Sequence, residues 1–201
     1  MFTCIIGGFL GTGKTTLLMR IAGRCRQKGV TVAIVVNEMG EVGIDGATIK
    51  GEGYDAVELP DGCICCSLSG TLQNALKSID RDIHPDVIII EPTGLALPHK
   101  VRELVRTSLI DSDHTLIVGL ADAKRFNELM SNKEEFFKRQ LHASDFILMT
   151  KVDLCAEDEI KRITNELMGM HPGRDVIRVS SVTGEGIDET VRRILNDRPL
   201  G

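Results

Sequence analysis

Gly8-Phe9-Leu10-Gly11-Thr12-Gly13-Lys14-Thr15 is the stretch that decides the fold of this chain. It fits the order Gly, four residues, Gly, Lys, then Ser or Thr, which is the pattern of a phosphate-binding loop. An apolar run at 3–7 precedes it and an amphipathic run at 14–28 follows it, so the loop is expected between a strand and a helix. The glycines let backbone N–H groups converge on phosphate oxygens. The helix N-terminus directs its dipole at the same anion. Lys14 is then expected to reach the β- and γ-phosphates and the Thr15 hydroxyl to ligate Mg2+. Gly11, Thr12, Gly13 and Thr16 are expected to complete the nucleotide contacts on this side.

Working outward, short apolar runs at 31–37, 87–91, 115–120, 146–150 and 176–180 read as further strands. Several are almost purely apolar, as strands covered on both faces should be. Between them, 69–80, 98–109, 124–141, 157–168 and 186–196 read as helices, with Gly29 and Gly169 as expected C-terminal stops. This alternation predicts an α/β domain with a doubly wound, mostly parallel sheet, a P-loop NTPase fold spanning 1–201 as one domain. Residues 38–53 break the pattern. They are rich in glycine and acidic residues and show no periodicity, so they read as a functional loop.

Composition narrows the class. The chain has 201 residues, 42% of them hydrophobic, with no Trp and one Tyr, so the core must be aliphatic. A net charge of -5 gives no basic stripe for nucleic acid. No apolar run approaches the ~20 residues of a membrane span, and the N-terminus runs directly into a strand rather than a leader. A cytoplasmic location is expected, where clustered cysteines serve metals or catalysis more often than disulfides.

Four more segments carry chemistry. Ile88-Ile89-Ile90-Glu91-Pro92-Thr93-Gly94 delivers an acid to the C-terminal edge of the sheet, where α/β ligands bind. Glu91 is a candidate for holding Mg2+, and Gly94 for approaching the γ-phosphate through its backbone. Thr150-Lys151-Val152-Asp153 fits the [Asn/Thr]-Lys-x-Asp element that reads guanine. Asp153 can accept from the ring N–H and the exocyclic amine of guanine, donors that adenine lacks there, so the wrong base leaves a carboxylate unpaired. Ser180-Ser181-Val182-Thr183-Gly184 is the matching element behind the base. Finally, Gly62-Cys63-Ile64-Cys65-Cys66 places half of the six cysteines within four positions. Thiolates are soft ligands suited to zinc and related metals. Cys63, Cys65 and Cys66 are one short of a closed tetrahedral site, which favours exchange over permanent structure. Structural packing and redox switching are the other readings of this cluster. Cys4 and Cys25 read as core packing.

These segments, together with Asn37-Glu38-Met39-Gly40-Glu41-Val42-Gly43-Ile44-Asp45 and Glu58-Leu59-Pro60-Asp61, resemble the CobW-like branch of the CobW/HypB/UreG family of P-loop GTPases. The resemblance spans most of the chain in order, and it implies a SIMIBI-type GTPase fold. It implies GTP hydrolysis coupled to delivery of zinc, cobalt or nickel through the Cys-x-Cys-Cys loop at 62–67; with no Arg or Gln at an obvious catalytic place in the switch, slow intrinsic turnover is expected. The loop at about 38–53 would be the switch, with Glu38 and Asp45 positioning the attacking water beside Lys14 and Glu91. GTP or GDP with Mg2+ would be the cofactors. A client metalloprotein or cofactor-assembly protein would be the partner, with a homodimer that depends on nucleotide or metal. The C-terminal domain common in CobW-like proteins is not expected within this chain, which stops at Gly201, and the His-rich tract of nickel-storing relatives is absent. Two competing readings stay open. One is a regulatory GTPase that gates corrinoid or other cofactor loading, with structural or redox cysteines. The other is an ATP-dependent small-molecule kinase, which shares the P-loop.

Overall fold

The computed structural model describes residues 1–37, 55–59, 68–110, 112 and 114–196. The loop at 38–53, with Glu38 and Asp45, and the cysteine loop at 62–67 lie outside the described residues.

The elements follow in the order β1 (Phe2–Gly8), α1 (Lys14–Gln27), β2 (Val32–Asn37), β3 (Asp55–Leu59), α2 (Leu68–Asp82), β4 (Val87–Glu91), α3 (Pro98–Thr107), β5 (Thr115–Asp122), α4 (Phe126–His142), β6 (Phe146–Thr150), α5 (Glu157–Met170), β7 (Val176–Val179) and α6 (Ile187–Asn196). A short 3-10 turn, Val152–Leu154, joins β6 to α5. The strands form one seven-stranded sheet in the order β3-β2-β4-β1-β5-β6-β7. Every neighbouring pair is parallel, so all C-terminal strand ends share one edge.

Strand residues alternate between two apolar layers, as a pleat requires. Cys4, Ile6, Ile34, Ile89, Val118 and Leu148 pack on one face beneath α1 and α6. Ile5, Val35, Ile88, Ile90 and Ile117 pack on the other beneath α2 and α3. On that same face Ala121, Ile147 and Met149 meet α4 and α5. Both faces are therefore covered, which is why the strands read as continuous apolar runs. Cys4 and Cys25 are fully buried, as expected.

The structure corrects the sequence reading in three places. β3 is an additional strand, paired to β2 along Ala33–Asn37 at one edge of the sheet. Gly169 lies inside α5, which continues to Met170 and is capped at His171. β5 runs two residues further than expected, so Asp122 closes it. In addition, α4 is kinked at Lys133, whose φ of -142° and ψ of 26° are not helical. No proline marks that point. Ser131 and Asn132, which compete for backbone hydrogen bonds, are the local signal.

Candidate functional site

The phosphate-binding loop connects β1 to α1 at the C-terminal edge of the sheet. Gly11 at φ 75° and Gly13 at φ 86° adopt the left-handed conformation, which a side chain would disfavour. Thr12 donates its hydroxyl to the Phe9 carbonyl at 2.8 Å and so holds the loop's own curl. Lys14 is 6% exposed, and its Nζ lies 3.4 Å from the Phe9 carbonyl. Burial lowers the Lys14 pKa, opposed by the charge of Glu91. An ammonium in that condition gains from an anion placed against it.

Glu91 ends β4 beside this loop. The Thr15 hydroxyl donates to Glu91 Oε1 at 2.9 Å. Glu91 Oε2 is buried and has no hydrogen-bond partner among the described residues. Burial pushes the Glu91 carboxyl upward, offset in part by Lys14 and Thr15. A hydroxyl and a carboxylate with an orphaned oxygen form a hard-oxygen donor set, which fits Mg2+ held with water and phosphate oxygens. Gly94, three residues on, is pressed against the phosphate loop: a Cβ there would lie 2.7 Å from Leu10 N and 2.9 Å from Leu10 Cα.

The base-side motif grips the phosphate loop from the other flank. Thr150 donates its hydroxyl to the Thr12 carbonyl at 3.1 Å. Lys151, at φ 59°, donates its Nζ to the Gly11 carbonyl at 2.8 Å. The same ammonium sits 2.7 Å from Oδ2 of Asp122, a carboxylate with 0% exposure. Asp153 is exposed in the middle of the 3-10 turn. Ser180, at the end of β7, is fully buried, and its hydroxyl oxygen accepts the backbone N–H of Val182 at 3.2 Å and Thr183 at 3.1 Å. Ser180 therefore shapes its loop, while Ser181 is half-buried and Val182 exposed. Thr16, next to Thr15, is also exposed.

The structure thus brings Lys14, Thr15, Glu91, Gly94, Thr150 and Lys151 to one edge. It also adds residues the sequence reading missed. Asp122 anchors Lys151, and its signal was the pattern of an apolar strand closing on an acid, as at Glu91. Arg125 donates from Nη1 to the Leu10 carbonyl at 3.0 Å and pairs with Glu128. Gln140, 1% exposed, donates to the carbonyls of Gly94 and Ala96. Among the described residues no group of three or more His, Cys, Asp or Glu is arranged to hold a metal ion, and no helix is long and apolar enough to cross a membrane.

Comparison with known proteins adds the following. The family model described as CobW/HypB/UreG, nucleotide-binding domain, matches residues 2–178. Zinc chaperone YeiR of Escherichia coli (strain K12) is 37% identical over 153 residues, covering 75% of this chain and 46% of that protein. Zinc chaperone CobW of Sinorhizobium is 32% identical over 193 residues, covering 81% of this chain and 54% of that protein. The chain spans about half the length of these relatives. The crystal structure of hydrogenase maturation factor HypB from Archaeoglobus fulgidus superimposes with a TM-score of 0.74 at 20% identity, covering 98% of this chain and 89% of that one. That likeness establishes the fold.

Proposed function

Because the chain belongs to the CobW/HypB/UreG nucleotide-binding family, we propose that it binds and hydrolyses GTP and uses the nucleotide's state to set transition-metal binding at Cys63-Ile64-Cys65-Cys66. The observation that carries the nucleotide half is the pair of grips on the phosphate loop. Glu91 and Thr15 meet on one side of it, and Lys151, anchored by Asp122, holds it on the side of the base motif. The metal half is supported by the three clustered cysteines and by relatives that carry the name zinc chaperone.

In this reading the loop N–H groups and Lys14 bind the phosphates, with Thr16 and Gly11 to Gly13 in the wall of the site. Asp153 reads guanine, Lys151 lies along the base, and the Ser180–Val182 loop backs it. Thr15 and Glu91 would hold Mg2+, which would supply charge neutralisation to the phosphates. A water attacks the γ-phosphorus in line with the bond to the β-phosphate, which breaks to release GDP and phosphate. Glu38 and Asp45 are the residues assigned to orient that water. The 38–53 loop connects β2, beside the Glu91 strand, to the segment leading into the cysteines. The nucleotide bound beside it sets the metal affinity of the thiolates, and hydrolysis changes that affinity. The cargo is zinc, cobalt or nickel, and the partner is a client metalloprotein or cofactor-assembly protein. A homodimer formed with nucleotide or metal accompanies the cycle.

The test is zinc and cobalt affinity of Cys65→Ala and Cys66→Ala in anaerobically purified protein. Each loss of a thiolate should weaken binding at least tenfold, in line with the energy a zinc–thiolate site supplies. Unchanged affinity in both would end the metal half and leave the regulation of cofactor loading as the function.

A further inference from the structure

Gln140 lies in none of the nucleotide motifs, yet it holds one of their loops from behind. It is buried on α4, and its Nε2 donates to the Gly94 carbonyl at 2.8 Å and to the Ala96 carbonyl at 3.2 Å. Gly94 is also backed by the phosphate loop, whose Leu10 amide leaves no room for a Cβ. The turn is closed by the Ala96 N–H donating to the Thr93 carbonyl at 3.0 Å. Gly94 is therefore clamped between α4 and the phosphate loop.

The consequence follows from peptide geometry. All the described peptide bonds are trans, so a carbonyl and the N–H of the next residue point in opposite directions. Fixing the Gly94 carbonyl on Gln140 fixes the Leu95 N–H away from Gln140. Neither that N–H nor the Gly94 N–H has a hydrogen-bond partner among the described residues. The same helix also braces the phosphate loop. Phe136 meets Phe9 edge to face at 5.8 Å, and Arg125, just before α4, donates to Leu10. One helix thus sets the spacing of the two loops that flank the phosphates.

We propose that Gln140 is a positioning residue for GTP hydrolysis: by holding the Gly94 and Ala96 carbonyls it aims the N–H of the Gly94–Leu95 peptide at the terminal phosphate. This rests on the GTPase reading, in which the loop after Glu91 is the γ-phosphate side of the site. Gln140 contacts the loop through the Gly94 and Ala96 carbonyls. Its effect passes through the peptide it orients, so it bears on the γ-phosphate and not on the diphosphate.

The experiment measures GDP affinity, affinity for a non-hydrolysable GTP analogue, GTPase kcat and Tm for the full chain. Gln140→Met keeps the volume and removes the donors, and Gln140→Glu keeps the shape and places a carboxylate against two carbonyls. Gly94→Ala is measured alongside as a probe of the loop. For the Gln140 variants, affinity for the GTP analogue should fall about tenfold relative to GDP and kcat on the order of tenfold, with GDP affinity unchanged within about twofold. If both nucleotides weaken equally, or only Tm falls, Gln140 is a packing residue and the proposal is overturned. The Gln140→Glu variant decides the same question should Gln140→Met not fold. Gly94→Ala, whose Cβ meets the Leu10 backbone, should weaken both nucleotides; if the parent protein itself neither binds nor hydrolyses GTP, the underlying reading fails as well.

Discussion

Replacing Asp122 with Asn removes one negative charge from a position with 0% exposure while keeping its size. In the parent protein Oδ2 stands 2.7 Å from the Lys151 ammonium, and Oδ1 accepts the Arg125 N–H at 3.2 Å. An Asn amide has one oxygen and one NH2 group. Whichever way it turns, a donor faces a donor, either Lys151 Nζ or the Arg125 N–H. Losing a charge-assisted contact of this kind costs about 1.5–3 kcal/mol when both partners are buried. The Lys151 side chain is 33% exposed, so the released ammonium regains water and the cost drops to about 1–2 kcal/mol. For a domain of this size that lowers Tm by about 2–8 °C. Lys151 also loses its anchor while it holds the Gly11 carbonyl, so GDP affinity falls by up to about 30-fold. Differential scanning calorimetry and a fluorescent-GDP titration measure both effects. If Tm and GDP affinity of Asp122→Asn match the parent, the pair is screened by solvent, and the account of how the base motif grips the phosphate loop is wrong.

Other outcomes follow from the same geometry. Asp153→Asn should erase most of the preference for guanine, bringing GDP and ADP affinities to within about tenfold of each other, because the amide no longer accepts both guanine donors. A GDP preference that survives in Asp153→Asn would show that Asp153 does not read the base, and a preference for adenine nucleotides that the substitution leaves intact would favour the kinase reading. Glu91→Gln should weaken Mg2+-dependent GTP-analogue binding by about tenfold to a hundredfold, as seen by calorimetry with and without Mg2+. The same variant should make the nucleotide-free protein more stable at pH 7. Burial raises the Glu91 pKa above its ordinary 4.5 in the folded state. Its stabilising contribution is thus complete below 4.5 and lost as pH rises through the folded value. The Tm advantage of Glu91→Gln should therefore shrink as pH falls toward 4.5, and an advantage that does not vary with pH would contradict this assignment.

The parallel sheet was legible because its central strands are buried on both faces and read as unbroken aliphatic runs. Glu91 and Lys151 were legible because each closes such a run at the edge where ligands bind. β3 was not, since Asp55-Ala56-Val57-Glu58-Leu59 is short and mixed in polarity, and what makes it a strand is its pairing to β2, a contact outside its own residues. Asp122 escaped because the strand was read two residues short. Gln140 escaped because a single polar residue between Phe137 and Leu141 on a buried helix face carries no local periodicity. Its role depends on two carbonyls more than forty residues away in sequence. The kink at Lys133 had no proline or glycine to announce it.

The central claim is that nucleotide and metal are coupled through this chain. A zinc titration of the metal-free protein, repeated without nucleotide, with GDP and with a non-hydrolysable GTP analogue, tests it directly. The account predicts one thiolate-dependent zinc site whose affinity differs between the GDP and GTP-analogue states by about 5- to 150-fold, with zinc shifting nucleotide affinity by the same factor. Equal zinc affinity in all three states would contradict it.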